Sequence, residues 1–129
     1  KSIIKIKNIT INTSEIRHSS TTKSIAYRIN HKNNTLVYAG DAEFCYEAIE
    51  IAENADALLI ECSFPDSKKM EGHLTPSLAG KIATKANVKN LILTHFYPEA
   101  LKANIKKQCS REFKGKIILA RDKMRINIE

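Results

Sequence analysis

Hydrophobic and polar residues alternate along much of the first forty positions of the chain. A period of two is typical of strands with one buried face, and it predicts strands over 3–11, 25–29 and 35–39. A polar, Asn-rich stretch at 31–34 predicts a turn between the last two strands. The opening third is therefore expected to be rich in β-structure.

After residue 43 the pattern changes to apolar positions at helical spacing, separated by short apolar runs. The predicted elements are a helix over 43–54, a strand over 57–60, a helix from Thr75 to about 86, a strand over 91–94, a helix over 98–113 ended by Gly115, and strands over 117–119 and 124–128 around a turn at 121–123. Thr75 is the expected N-cap of its helix, with Pro76 in the first turn. Strands followed by alternating helix and strand predict an α/β fold, a mixed sheet covered by helices.

Composition indicates one structural unit over 1–129. The chain has 129 residues, of which 43% are hydrophobic, and it contains neither a repeat nor a linker. The formal net charge of +7 favours phosphate-bearing partners, nucleic acid included, although the 21 basic residues are spread out as on an ordinary solvated surface.

The cysteines and the apolar runs narrow the class further. Three scattered cysteines argue against a disulfide framework or a structural zinc knuckle and favour the cytoplasm. The apolar runs fall short of the roughly 20 residues that span a bilayer, so no membrane partner is expected. Because the sequence starts at Lys1 close to a predicted strand, we expect it to begin inside a longer protein.

Two potential metal ligands directly follow predicted strands. Asp41 comes after the strand over 35–39, and His95 comes after the strand over 91–94. Strand ends hold reactive side chains on a rigid framework, and imidazole and carboxylate are ligands that zinc and similar metals prefer. These residue types alone do not identify a site.

Four segments occur in one order at compact spacing: YAGDAE at Asp41, ADALLIECSF at Glu61, EGHLTPSLAGKIA at His73 and NLILTHFYP at His95. As a set they resemble the metallo-β-lactamase superfamily, in particular its ribonuclease Z and phosphodiesterase branch. The resemblance implies the C-terminal half of a four-layer αβ/βα sandwich.

The resemblance also implies a role for each candidate residue. His18 would bind one metal, His95 the other, and Asp41 would bridge both, with a hydroxide between two divalent ions as nucleophile. Zinc is the expected metal, with manganese or iron as alternatives. His73 would assist the leaving group, and Glu61 would orient His73.

Each of these residues also has a plainer interpretation. Asp41 is compatible with a turn or helix-cap residue, and His95 with a hydrogen-bonded histidine at a strand end. His18 and His73 are compatible with ordinary loop residues, and Glu61 with a surface or capping acid.

The sequence departs from the family pattern at several points. The His-x-His-x-Asp-His loop that supplies most metal ligands is absent, so we expect the upstream half elsewhere, no turnover by this fragment alone, and homo-oligomers through exposed sheet. Only 22 residues separate His18 from Asp41, too few for a tRNA-gripping arm. The loop at His73 reads HLT rather than HST, and GDA replaces GDT at Asp41, which further argues against tRNA maturation.

The predicted function is thus metal-dependent hydrolysis of phosphodiester bonds by the intact protein. One alternative keeps the metals but cleaves lactones or thioesters. The other is a non-catalytic module that binds nucleic acid or a partner through its basic surface.

Overall fold

A seven-stranded sheet, with its strands side by side in chain order, forms the framework of the computed structural model, which describes residues 1–128. The strands are β1 (Ile3–Ile6), β2 (Ile9–Arg17), β3 (Lys23–His31), β4 (Asn34–Tyr38), β5 (Ala57–Glu61), β6 (Asn90–Thr94) and β7 (Lys116–Leu119). The helices are α1 (Tyr46–Ala52), α2 (Pro76–Lys85), α3 (Pro98–Leu101) and α4 (Ile105–Cys109), with a 3₁₀ turn at Asp66–Lys68. The predicted α/β class with a mixed sheet and covering helices is confirmed.

The sheet is antiparallel from β1 to β4 and parallel from β4 to β7. Short turns join the antiparallel strands, whereas each parallel step is crossed by helical segments, as a parallel connection requires. Because β2 and β4 both run antiparallel to β3, β2 points the same way as β4. The carboxyl ends of β2, β4, β5 and β6 therefore lie at one edge of the sheet.

Helices cover one face of the sheet and close the hydrophobic core. The side chains of Leu58, Ile60, Leu91 and Leu93 are fully buried on that face. Burial of one such side chain contributes about 1.5–3 kcal/mol. This packing fixes the parallel strands and holds their carboxyl ends in place.

The opposite face carries apolar side chains that remain partly exposed. We call the set Ile11, Ile25, Tyr27, Ile29, Leu36 and Tyr38 the open sheet face. Its members pair across strands, as in Ile29 with Leu36 and Tyr27 with Tyr38. Ile25 is 52% exposed and Tyr38 is 42% exposed. Ala26, which follows Ile25 in β3 and lies on the helix side, is fully buried. Neighbouring exposed apolar side chains of this kind are typical of surfaces that contact another part of a protein or a partner.

The predicted helix start at Thr75 is confirmed. The Thr75 Oγ1 accepts a hydrogen bond from the Leu78 N–H at 3.5 Å, and Pro76 is the first helical residue. The longest described helix, α2, has ten residues, and no helix within 1–128 is long and apolar enough to cross a membrane.

Three elements predicted from the sequence differ from the structure: the strand over 3–11, the helix over 43–54 and the helix over 98–113. The single strand predicted over 3–11 is a hairpin, because Lys7 adopts a φ of 52° and turns the chain between β1 and β2. The helix predicted over 43–54 begins only at Tyr46. The helix predicted over 98–113 is two short helices, because the Asn104 side chain accepts from the Lys107 N–H and starts a new helix there.

The predicted closing strand over 124–128 was also wrong. The turn before it forms, with the Met124 N–H donating to the Arg121 carbonyl at 3.0 Å. Residues 124–128 then follow without strand pairing, and the Asn34 side-chain amide donates to the Ile128 carbonyl.

Candidate metal centre

Four strand ends and one loop bring the predicted site residues to the same edge of the sheet. Glu61 is the last residue of β5, His95 directly follows β6, and Asp41 follows β4 through Gly40. His18 directly follows β2, which points the same way as these strands. His73 comes from the loop between the 3₁₀ turn and α2.

Glu61 and His73 form a buried pair. The His73 Nδ1 lies 3.0 Å from Glu61 Oε1, and the Glu61 side chain is fully buried. Because the Glu61 oxygens also accept from two backbone N–H groups and a hydroxyl, they act as acceptors toward His73 as well, which assigns the ring proton to Nδ1. The other ring nitrogen, Nε2, is therefore the one left for chemistry.

The Glu61 carboxylate is held by several further donors. It accepts from the Ala42 N–H at 2.9 Å, from the Leu74 N–H at 3.2 Å and from the buried Ser63 hydroxyl. One atom each of His18, Glu61 and His73 lies within 4.8 Å of the others, as in a metal site. Because the Glu61 oxygens are already committed to these donors, this geometry suits a residue that orients His73 better than a metal ligand.

The His18 ring is fixed by a backbone contact from a distant loop. Its Nδ1 lies 2.7 Å from the Gly72 carbonyl oxygen, which only accepts, so Nδ1 is the protonated nitrogen and Nε2 is free. Gly72 has a φ of 79°, and a Cβ added there would lie 2.7 Å from the His18 carbonyl oxygen. Glycine is therefore required for this close approach.

Asp41 and His95 face one another at the open edge of the site. The His95 Nε2 lies 3.6 Å from Asp41 Oδ1, and both side chains are about half exposed. Two ligands bonded to one zinc ion at about 2.1 Å in tetrahedral geometry are about 3.4 Å apart, so this spacing fits a shared metal. His95 has a φ of 57°, in the left-handed region that few residues other than glycine adopt, although histidine enters it more readily than most.

The histidine rings link these two groups into one cluster. The ring centroids of His18 and His73 are 5.3 Å apart, and those of His73 and His95 are 6.0 Å apart. All five residues named from the sequence are thus gathered in one place. The donor set of the His18 and His95 imidazoles and the Asp41 carboxylate, with the His18 Nε2 freed by the hydrogen bond on Nδ1, fits divalent transition metals.

Cys62 lies beside Glu61 but does not join this donor set. Burial raises the pKa of the Cys62 thiol well above its usual range, helped by the nearby Cys109 and Glu61. A metal ligand must be the thiolate, so this neutral, fully buried thiol has a packing role.

Sequence reasoning missed Ser63, Phe64, Gly72 and Tyr97 as parts of the site. Ser63 and Phe64 follow Glu61 in the segment ADALLIECSF, and Tyr97 follows His95 in NLILTHFYP. Their closeness to candidate residues along the chain was the available signal. The ring contacts that give Phe64 and Tyr97 their place appear only in the folded chain.

Comparisons with known proteins bear on the family of this chain. A profile of the beta-lactamase superfamily domain matches residues 2–96. A ribonuclease Z of Thermobifida fusca is 32% identical over 109 residues, which are 79% of this chain and 34% of the relative. A protein of Bacillus subtilis named probable metallo-hydrolase YhfI is 31% identical over 98 residues, which are 74% of this chain and 40% of the relative.

Solved structures extend the likeness to the fold. The crystal structure of the metallo-beta-lactamase fold protein YhfI from Bacillus subtilis matches 93% of this chain and 50% of its own, with a TM-score of 0.84 and 29% identity. The human short-form tRNase Z matches 98% of this chain and 44% of its own, with a TM-score of 0.75 and 22% identity, a likeness of fold. This chain thus spans between a third and a half of the length of these relatives. On these grounds the chain belongs to the metallo-β-lactamase superfamily of metal-dependent hydrolases.

Proposed function

We propose that the protein containing this chain is a metal-dependent hydrolase of phosphodiester bonds. The observation that carries the proposal is the gathering of His18, Asp41 and His95 beside a histidine, His73, whose Nδ1 is held by a buried carboxylate. In this proposal His18, Asp41 and His95 hold two divalent ions, most simply zinc. When bound, such ions supply a hydroxide nucleophile near neutral pH.

His73 acts on the leaving group in this proposal. Its Nδ1 proton stays on the ring and is hydrogen-bonded to Glu61, which stabilises the imidazolium form. The Nε2 of that imidazolium gives its proton to the departing oxygen. Because Glu61 holds the ring, His73 does not occupy orientations in which Nε2 points away from the leaving group. The buried hydrogen bonds on Glu61 support this role because they leave the carboxylate no other position.

Two observations favour phosphodiesters over other esters. One relative carries the name ribonuclease Z, and the net charge of +7 favours an anionic substrate. The 22 residues between His18 and Asp41 are used by all of β3 and all of β4, which leaves no room for a tRNA-gripping arm. We therefore propose a phosphodiesterase that is not specialised for tRNA.

The test uses the intact protein, stripped of metal by a chelator and reloaded with zinc or manganese. Hydrolysis of bis(p-nitrophenyl) phosphate should return with metal, and His95→Ala should lower it about 100-fold or more because a ligand is lost. His31→Ala is the control, since His31 bonds to Asn8 and lies in an exposed position at the other end of β3. Faster turnover of lactone or thioester substrates would replace the phosphodiester assignment, and hydrolysis that chelator or His95→Ala leaves unchanged would refute the metal mechanism.

We also propose that a further layer of the intact protein covers the open sheet face and supplies the remaining ligands. Zinc takes four ligands, and the three candidates here are too few for two ions.

In the covered state Tyr38→Glu should lower the free energy of unfolding by about 2 kcal/mol or more. Tyr46→Glu, at a tyrosine 74% exposed on α1, should cost less than about 0.5 kcal/mol. Equal small effects in the intact protein would show the face to be bare, and a concentration-dependent effect would identify a second copy as the cover.

A further inference from the structure

Two aromatic side chains stand beside the leaving-group histidine. The rings of Phe64 and Tyr97 are stacked, with centroids 4.7 Å apart and planes 26° apart. Both meet the His73 ring edge-on, at 5.7 Å for Phe64 and 5.8 Å for Tyr97. Tyr97 also contacts the His95 ring at 5.6 Å. We call Phe64 and Tyr97 the aromatic wall.

The aromatic wall is fixed to the strands that carry the site. The Tyr97 N–H donates to the Ser63 carbonyl at 3.1 Å, which ties the segment after β6 to the segment after β5. Pro98 then starts α3 and fixes the backbone that follows Tyr97. The wall is thus held in the same framework as Glu61 and His95, as a binding surface must be.

Exposure distinguishes the wall from ordinary packing. Tyr97 is 39% exposed, whereas Leu93 and Cys62, which come shortly before Tyr97 and Phe64 along the chain, are fully buried. A partly exposed aromatic ring is suited to a flat ligand ring, because every nucleobase has a face that stacks on aromatic side chains.

We propose that Tyr97, backed by Phe64, determines specificity by stacking on a nucleobase of the leaving group. The inference rests on the proposed function, since it places that base on the His73 side of the scissile bond. The substrate class is then a phosphodiester whose departing alcohol belongs to a nucleoside. A leaving group without an aromatic ring would lose this contact but keep its contacts to His73.

The experiment compares adenosine 5′-monophosphate with ribose 5-phosphate, which share the phosphate and the pentose and differ in the base. Dissociation constants are measured by NMR titration of the intact, metal-loaded protein. The nucleotide should bind more tightly by about 5- to 150-fold, the range that one stacked base provides. Tyr97→Ala should bring the ratio close to one, and Tyr97→Phe should keep it because the ring remains.

The control is Tyr46→Ala, because Tyr46 lines a separate surface depression with Phe44 and Lys85, and this change should leave the ratio unaltered. Circular dichroism confirms that each variant is folded. A wild-type ratio near one, or a ratio that Tyr97→Ala does not change, overturns the inference. Metal-dependent hydrolysis of bis(p-nitrophenyl) phosphate is measured on the same samples, so that loss of the proposed function shows there while the base preference is read from binding alone.

Discussion

The fully buried carboxylate of Glu61 accepts hydrogen bonds from the backbone N–H groups of Ala42 and Leu74 and from the Ser63 hydroxyl, besides facing His73. Glu61→Ala would leave these three donors without their acceptor. Each unsatisfied buried group costs about 1–3 kcal/mol, so the sum is about 3–6 kcal/mol once local relaxation and water entry reduce it. Since domains are stable by about 5–15 kcal/mol, we expect a large part of the stability to be lost.

Glu61→Gln provides a matched comparison of nearly the same shape. Its amide oxygen still accepts, but its NH₂ group turns a donor toward groups that themselves donate, so the expected cost is about 1–3 kcal/mol. If the amide faces His73, it would donate to Nδ1 and move the ring proton to Nε2. The activity should then fall about 10- to 100-fold, the usual effect of losing a residue that orients a site histidine.

Urea unfolding followed by circular dichroism measures both stabilities, and long-range ¹H–¹⁵N NMR spectra report which nitrogen of His73 is protonated. Glu61→Ala should unfold at much lower urea than Glu61→Gln, and only wild type should keep the Nδ1 proton. A cost below about 1 kcal/mol for Glu61→Ala would mean that water replaces the carboxylate, which would refute the reasoning from buried donors. A His73 tautomer that is unchanged in both Glu61→Ala and Glu61→Gln would refute the orienting role.

Two further predictions concern the framework of the site. Among the contacts of Asp56, the ion pair with Lys89 lowers the pKa of its carboxyl group most. The stabilisation of the fold by this pair is therefore present above the ordinary carboxyl pKa of 3.8 and is lost as the pH falls through the lower pKa of the folded state. Asp56→Asn should therefore cost about 1–3 kcal/mol in urea unfolding at pH 7, and the difference from wild type should shrink in acid; a difference independent of pH would contradict this. Gly72→Ala should cost more than Gly40→Ala and alone weaken metal binding in calorimetric titrations, because both glycines have a positive φ but only Gly72 has the His18 carbonyl where a Cβ would be. Equal effects of the two substitutions would show that the clash is relieved without moving His18.

The sequence was sufficient for the elements that local patterns define. The parallel strands β5 and β6 are continuous apolar runs, which is how strands buried on both faces read. Thr75 and Pro76 marked the start of α2 because capping involves only neighbouring residues. Asp41 and His95 were expected in one site from the family resemblance, and their atoms are 3.6 Å apart.

Local competition explains the elements that were predicted wrongly. Apolar residues recur on both sides of Lys7, which favoured one strand, although the polar pair Lys7-Asn8 shifts the alternation by one position where Lys7 turns the chain with a φ of 52°. In the long predicted helix, helical spacing extends past Asn104, but the side chain of that residue caps a new helix more favourably than it fits inside one. Residues 124–128 have the alternation of a strand, yet strand formation also needs a paired neighbour, which a pattern does not specify.

The orientation of the site side chains depends on contacts that no local pattern contains. His18 and Gly72 are 54 residues apart, and their 2.7 Å hydrogen bond decides which imidazole nitrogen is free. Glu61 makes the same decision for His73 from 12 residues away. The residue types therefore determine which chemistry is available. The loop that brings Gly72 and His73 to the strand ends determines how the imidazole rings are oriented. Substitutions in that loop should change metal binding and leaving-group chemistry together, although the loop supplies only one of the five candidate site side chains.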